Sequence, residues 1–240
     1  MEKKDLKQFY RDLEEFDIVL SSFQVDQFLT YYELLIEKNK VMNLTAITDF
    51  EEVLKKHFID SLSLVKVCDL KDDISLLDVG TGAGFPGIPL KIAFPALKVT
   101  LLDSLNKRVN FLQEVIESLE LDDIEALHGR AEDFAKPNLM REQFDLCVSR
   151  AVANLSTLSE YCLPYVKIGG SFVSYKSEKV FEETDQADNA IKILGGKIIK
   201  QTGFTLPSSD IYRNLIVIRK CNSTPKQYPR KAGTASKSPL

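Results

Sequence analysis

The sequence predicts an α/β chain: a mostly parallel, doubly wound sheet preceded by a helical N-terminal extension. Three observations predict it. Residues 5–40 repeat apolar side chains at helical spacing with no strand pattern between them. Beyond residue 70, short apolar runs alternate with amphipathic stretches, the order that produces parallel strands joined by right-handed helical crossovers. The first such run is followed at once by glycines, in LLDVGTGAGFPG over residues 76–87.

In the extension, Leu6, Phe9, Leu13 and Phe16 lie on one helical stripe, and Phe28, Tyr31, Tyr32, Leu35 and Ile36 on another. A third stretch, DFEEVLKKHFIDSLSLVKV, opens behind Thr48 and Asp49 with Glu51 and Glu52 in its first turn, as a capped helix does. The sheet region follows as SLLDVG, helix PLKIAF, strand KVTLLD, helix KRVNFLQEVIESL, strand IEALHG, strand FDLCVS, helix LSTLSEYCLPYV and strand GSFVSYK. Residues 179–193 predict another helix, and GGKIIKQTGF with RNLIVIRK predict a closing hairpin at one edge. The division expected is a helical extension over 1–70, a sheet domain over 71–220 and a basic tail over 221–240.

Composition narrows the function classes. The 240 residues, 44% hydrophobic and 9% aromatic, suffice for one α/β domain with an appendage. No apolar stretch approaches the roughly 20 residues that a membrane helix needs, so a cytoplasmic protein without membrane contact is expected. The cysteines Cys68, Cys147, Cys162 and Cys221 are dispersed, with only His57 and His128 to join them, and predict reduced thiols and no metal site. Six of the 31 basic residues and none of the 35 acidic ones lie in 219–240, so a net charge of −4 divides into a basic arm and a body at −10. A basic arm suits a polyanion; it equally describes a solubilising disordered tail.

In an open parallel sheet the ligand lies beyond the carboxyl ends of the strands, at the point where strand order reverses. Gly80, Gly82 and Gly84 fall in the first strand-to-helix turn there, where bare backbone can lie against a flat ligand. Gly82, Gly84 and Gly87 also satisfy the dinucleotide spacing G-x-G-x-x-G, with Asp103 as the acid at the end of the second strand. Against a pyrophosphate stands Asp78, two residues before the first glycine. Charge therefore favours a cationic ligand such as S-adenosylmethionine.

DVGTGAG resembles the first motif of the Rossmann-like S-adenosylmethionine-dependent methyltransferases. NLTAITDFEEVLKKHFIDSL, LLDSLNKRVNFL, HGRAEDF, FDLCVSRAVANL and YPRKAGTASKSPL are together similar, in order and spacing, to the glucose-inhibited division protein B family. The resemblance runs from about Val41 to the C-terminus. It implies a small-subunit (16S) ribosomal RNA methyltransferase acting on guanine N7 with S-adenosylmethionine as cofactor. By the same resemblance Gly80 and Phe85 would hold the methionine part of the donor and Asp103 the ribose hydroxyls; Gly82 in the same turn and Asp78, on charge, are expected to bind the cofactor too. Ala131 and Glu132 would contact adenine, and Arg150, at the mouth of the cleft, the donor carboxylate or an RNA phosphate.

Each residue has a plainer reading. Asp103 or Ser104 could cap the next helix, Glu132 and Asp133 could be first-turn acids, and Arg150 could pair within the sheet rim. His57 is expected to support the fold, and His128 to be positional.

The absences are consistent with guanine N7. The [DN]-P-P-[FYW] strand end used on exocyclic amines reads VSRAV here, and Cys147 sits in an apolar strand where a thiol is a core residue. N7 carries no proton, so no general base is needed and no catalytic residue is assigned. Because N7 is inaccessible in A-form duplexes, the target belongs in unpaired RNA. Lys226, Arg230, Lys231 and Lys237 are the expected RNA contacts, and the tail is expected to be separable from the donor site. A monomer acting on ribosomal RNA, free or within a ribosomal particle, is expected. The alternatives are a non-catalytic RNA-binding protein on the same scaffold and a nicotinamide-dinucleotide oxidoreductase.

Overall fold

Seven strands form one sheet in the order β3-β2-β1-β4-β5-β7-β6 in a computed structural model that describes residues 4–70, 73–150, 153–177 and 181–240. The extension supplies α1 (Lys7–Glu14) and α2 (Ser22–Met42). Ser21 starts α2 with a reciprocal capping box: its hydroxyl accepts from the Gln24 N–H while the Gln24 side chain accepts from the Ser21 N–H. The third stretch begins as expected, with the Asp49 carboxylate capping the Glu52 N–H at 3.0 Å. It is not one α-helix. It runs as α3 (Phe50–Val53), a π-turn (Leu54–Ile59), α4 (Asp60–Leu62) and a 3₁₀ turn (Ser63–Lys66). No periodicity argument detects the extra residue that a π-turn admits.

The sheet domain follows as β1 (Ser75–Val79), α5 (Gly87–Ala93), β2 (Lys98–Asp103), α6 (Asn106–Ser118), β3 (Ile124–His128), α7 (Ala131–Phe134) and β4 (Phe144–Ser149). Then come α8 (Leu155–Cys162), β5 (Val166–Lys176), α9 (Phe181–Ile193), β6 (Gly196–Thr205) and β7 (Tyr212–Lys220). Strands β1 to β5 pair in parallel. The closing hairpin is antiparallel, and β7 inserts between β5 and β6, so β6 is the edge. Chain order reverses between β1 and β4, which places the switch point there.

The extension shares a core with the sheet: Phe28, Tyr31 and Leu35 of α2 pack in one buried cluster with Leu76 of β1 and Leu101 of β2. The Gln27 amide, buried, donates to the Leu119 carbonyl at 2.6 Å, so this packing also satisfies backbone at the end of α6. On the opposite face of the sheet, Cys147 lies buried among Leu77, Phe172 and Ile216. Burial pushes its thiol pKa far up, consistent with a core residue.

The C-terminal segment is docked on the domain, ending in α10 (Thr234–Lys237). The Arg230 guanidinium engages both oxygens of Glu160, whose side chain is 1% exposed, at 2.6 to 3.1 Å. Lys220 is wholly buried, donates to the Leu163 carbonyl and Thr224 hydroxyl at 2.6 Å and pairs with Glu142 at 3.2 Å; burial lowers its pKa to about 8. Arg141 holds the segment from below, donating to the carbonyls of Thr224 and Tyr228 at 2.6 and 2.7 Å. Two cations that the sequence offers to a polyanion are thus paired internally, Arg230 because buried Glu160 requires a partner and Lys220 because it is itself buried. Lys226, Lys231 and Lys237 remain exposed.

Candidate active site

Strand β1 delivers Asp78, fully buried, to the base of the glycine turn. Its Oδ2 accepts from the Thr81 hydroxyl at 2.6 Å and the Gly87 N–H at 2.9 Å, closing the turn from inside. Its Oδ1 has no partner among the described residues. Burial raises the Asp78 pKa to about 6, against the lowering effect of those two hydrogen bonds and of Arg150. The turn is braced from the extension, where the Tyr31 hydroxyl donates to the Ala83 carbonyl at 2.5 Å and the Tyr31 ring lies 5.4 Å from that of Phe85. Gly80, Gly82 and Gly84 all have positive φ. At Gly82, with φ +64°, a Cβ would project into open space, so the turn offers bare backbone to a ligand.

A cleft of about 390 Å³ lies beyond β1, β2 and β3, lined by Gly80, Asp103, Ala131, Glu132, Ala153 and Gly233. Asp103 ends β2 with 3% exposure. Its Oδ1 accepts from the Leu105 N–H at 2.9 Å; its Oδ2 accepts from the Gly82 N–H at 2.9 Å and from Arg108 at 3.3 Å. The first of these is a turn contact, and no side chain caps the start of α6. Asp103 therefore ties β2 to the glycine turn. Glu132 sits in α7, and its Oε1 accepts from the Gly233 N–H at 2.8 Å. His128 is peripheral, its Nε2 lying 3.2 Å from the Ser104 carbonyl.

The turn's own hydrogen bonds discriminate between ligands. The N–H groups of Gly80 and Thr81 go to the Leu102 carbonyl, those of Gly84 and Phe85 to Thr81, that of Gly87 to Asp78 and that of Gly82 to Asp103. A pyrophosphate needs such donors free. Here they are spent, and the charged groups of the cleft are the carboxylates of Asp103 and Glu132 with the guanidiniums of Arg108 and Arg130. The two carboxylates are acceptors that suit the ribose hydroxyls and amino groups of S-adenosylmethionine, which has no phosphate.

A second cavity, about 830 Å³, opens on the far side of β4 and shares Ala153 with the cleft. Its walls include His57, Asp60, Arg150, Asn154, Lys176 and Arg213. Asp60, 3% exposed, accepts from Arg150 at 3.1 Å through Oδ2 and from Arg213 at 2.9 Å through Oδ1. One carboxylate against two guanidiniums leaves a fixed positive excess. The Arg150 guanidinium also lies 5.0 Å over the Phe85 ring, and His57 stacks on that ring at 4.6 Å. Arginine has no acceptor, so the 3.3 Å contact between Arg150 Nη2 and His57 Nδ1 makes Nδ1 the acceptor. The proton then sits on Nε2, which donates to the Thr45 hydroxyl at 2.8 Å. Burial first, and Arg150 second, lower the His57 pKa to about 3, so the ring is neutral. It positions Arg150.

Four of the residues expected at the donor, Gly80, Asp103, Ala131 and Glu132, thus line one cleft, and Gly82 joins them through Asp103. Three do not line it. Asp78 lies behind the turn, because its carboxylate serves the turn's own N–H and hydroxyl groups. Arg150 belongs to the second cavity's wall, because Asp60 and His57 draw it to that side; Phe85 is buried beneath Arg150 and His57 and lines neither cavity. Of the strand end VSRAV, Ala151 and Val152 lie outside the described residues. The tail is not separable from the cleft, since Gly233 is part of its wall. Arg230 is committed to Glu160 rather than presented to RNA. Sequence reasoning missed Asp60, Arg213 and Gly233. An acid in a predicted helix, an arginine in a predicted strand and a tail glycine carry no local signal.

The family model described as GidB, rRNA small subunit methyltransferase G, matches residues 24–212. A protein of Lachnoclostridium phytofermentans named Ribosomal RNA small subunit methyltransferase G is 55% identical over 99% of this chain and 98% of its own length. One of the same name from Bacillus cereus is 49% identical over 98% of this chain and 99% of its own. Among solved structures, a SAM-dependent methyltransferase of Aquifex aeolicus superposes with a TM-score of 0.54 at 20% identity, covering 73% of this chain and 96% of that one. The last likeness speaks for the fold, and the first three place the sequence: the chain belongs to the GidB family of rRNA small subunit methyltransferases G.

Proposed function

We propose that the chain transfers a methyl group from S-adenosylmethionine to N7 of a guanine in small-subunit ribosomal RNA, with the cleft beyond β1 to β3 as donor site and the second cavity as acceptor site. The observation that carries this division is that the two cavities share Ala153 as a wall residue, one balancing the carboxylates of Asp103 and Glu132 against Arg108 and Arg130 and the other holding a positive excess around Asp60. Asp103 would accept from the ribose hydroxyls while keeping the Gly82 N–H, and Glu132 from the adenine amine. When bound, the cofactor supplies an electrophilic methyl on a sulfonium. Arg150 and Arg213 would receive the RNA backbone, which is anionic, and their common carboxylate Asp60 fixes their direction. Neutral His57 is not poised as a proton acceptor toward the cavity, since its Nδ1 faces Arg150 and its Nε2 faces Thr45.

That arrangement is sufficient for N7, an in-plane lone pair without a proton. Alignment of two reactants can by itself remove roughly 7–11 kcal/mol of barrier. Exposed Lys226, Lys231 and Lys237 would extend the RNA contact outside the cavity. The chain would act as a monomer in the cytoplasm, on an unpaired guanine of free or particle-bound RNA; among the described residues no helix is long and apolar enough to cross a membrane. The test is mass spectrometry of ribosomal RNA nucleosides from cells with and without this protein. Loss of one 7-methylguanosine per small-subunit RNA is expected, and an unchanged content would overturn the reading.

A further inference from the structure

The C-terminal segment stands across the proposed donor cleft, far in sequence from every loop that forms the rest of it. Gly233 and Ser236 line the cleft beside Gly80, Asp103 and Glu132. The segment is fixed on both sides of that contact. Upstream, Arg230 forks onto buried Glu160. Downstream, the Ala235 carbonyl accepts from the buried Thr157 hydroxyl at 3.1 Å, and Ala235 is 1% exposed. Between these anchors the Gly233 N–H donates to Glu132 Oε1 at 2.8 Å. Gly233 reaches it with φ +79°, a conformation that L side chains rarely adopt, although a Cβ there would touch nothing. A glycine is therefore favoured there by the backbone and not by space.

We propose that the segment from Arg230 to Ser236 is a strap that completes the donor site, with Gly233 as a positioning residue that aims the Glu132 carboxylate at the donor's adenine. One oxygen of Glu132 is occupied by the strap, which leaves Oε2 as the acceptor for an exocyclic amine and prevents the side chain from rotating away. Donor recognition is then divided between the sheet's loops and the last residues of the chain. This inference rests on the donor reading given above.

Gly233→Val and Gly233→Asn, each measured by calorimetry with S-adenosylhomocysteine, separate the strap from the donor reading. Valine is costly at positive φ and asparagine is tolerated there. Gly233→Val is expected to weaken binding by about tenfold and to raise KM for the methyl donor in proportion, with kcat changed by less than about twofold. Gly233→Asn is expected to stay within about threefold of the parent. In the unaltered chain, amide exchange at 233–236 is expected to slow on adding S-adenosylhomocysteine, a readout that holds even if a variant fails to fold. Equal affinity in Gly233→Val, a loss in kcat alone, equal damage from valine and asparagine, or exchange unaffected by ligand would each overturn the strap. No binding by the unaltered chain would overturn the donor reading, and the strap with it.

Discussion

The two cavities that share Ala153 are built by different means. In the proposed donor cleft, the carboxylates are held mainly by backbone: Asp103 by the Gly82 and Leu105 N–H groups at 2.9 Å, with Arg108 at 3.3 Å, and Glu132 by the Gly233 N–H. In the acceptor cavity, side chains hold side chains: Asp60 fixes Arg150 and Arg213, and His57 fixes Arg150 again. A backbone-held carboxylate keeps the direction of its lone pairs with little dependence on neighbouring rotamers, as recognition of a rigid nucleoside requires. A side-chain-held pair of arginines keeps its charge while its outward faces remain available, as an RNA backbone of variable path requires. The difference predicts that damage to one cavity leaves binding at the other intact.

The largest effect is expected from Asp60→Ala. The variant leaves Arg150 and Arg213, whose side chains are 18% and 23% exposed, without their shared partner. Removing one member of a buried pair costs on the order of 3–5 kcal/mol. A large fall in melting temperature and in RNA affinity should follow. In protein that remains folded, calorimetry should find S-adenosylhomocysteine affinity near that of the parent. An equal loss of ligand affinity would break the division between the cavities.

Asp103→Ala tests the other side. Loss of charge-assisted hydrogen bonds to the ribose, together with release of the Gly82 N–H, should weaken S-adenosylhomocysteine by on the order of 1.5–3 kcal/mol. RNA affinity measured without the donor should not change. A loss of only a few tenths of a kcal/mol would mean that Asp103 serves the turn at Leu105 and the glycine turn, and not the donor.

The same difference governs what could be read in the sequence. The donor side is written in short-range signals: glycines and an acid behind β1, an acid at the end of β2, and Ala131–Glu132 after β3. Strand-to-helix periodicity puts these positions at the strands' carboxyl ends, the family resemblance singles out Ala131 and Glu132 among them, and the structure brings Gly80, Asp103, Ala131 and Glu132 to one wall. The acceptor side is written in contacts of long range. Asp60 meets Arg150 across 90 residues and Arg213 across 153. The π-turn at Leu54–Ile59, which carries His57 three residues before Asp60, has the same apolar pattern as an α-helix. Charge counting misread the tail for a related reason. It counts Lys220 and Arg230 as available, whereas folding buries Lys220 itself against Glu142 and buries the Glu160 that pairs with Arg230.

The smallest expected effect locates the boundary between the two regions. Asp78 lies behind the glycine turn, where Arg150 from one cavity lowers its pKa and Asp103 from the other raises it; burial dominates and sets it at about 6. An unfolded aspartate titrates near 3.8. The native state therefore holds a proton that the unfolded chain has released between these values. Stability from this group is fully present below about pH 3.8 and is lost as pH rises through about 6. Asp78→Asn is neutral throughout and its carbonyl oxygen can still accept from the Gly87 N–H and the Thr81 hydroxyl. The melting temperature of the variant minus that of the parent should accordingly increase from pH 4 to pH 7.5, whatever its value at pH 4. A difference constant over that range would show that Asp78 is charged throughout. Repeating the series on an Arg150→Met background should leave the onset of the rise in place and extend its upper end to higher pH, because the lowering influence of Arg150 on the native state is gone. If the upper end stays in place, Arg150 does not reach Asp78 electrostatically, and the two cavities are independent even at the turn they share.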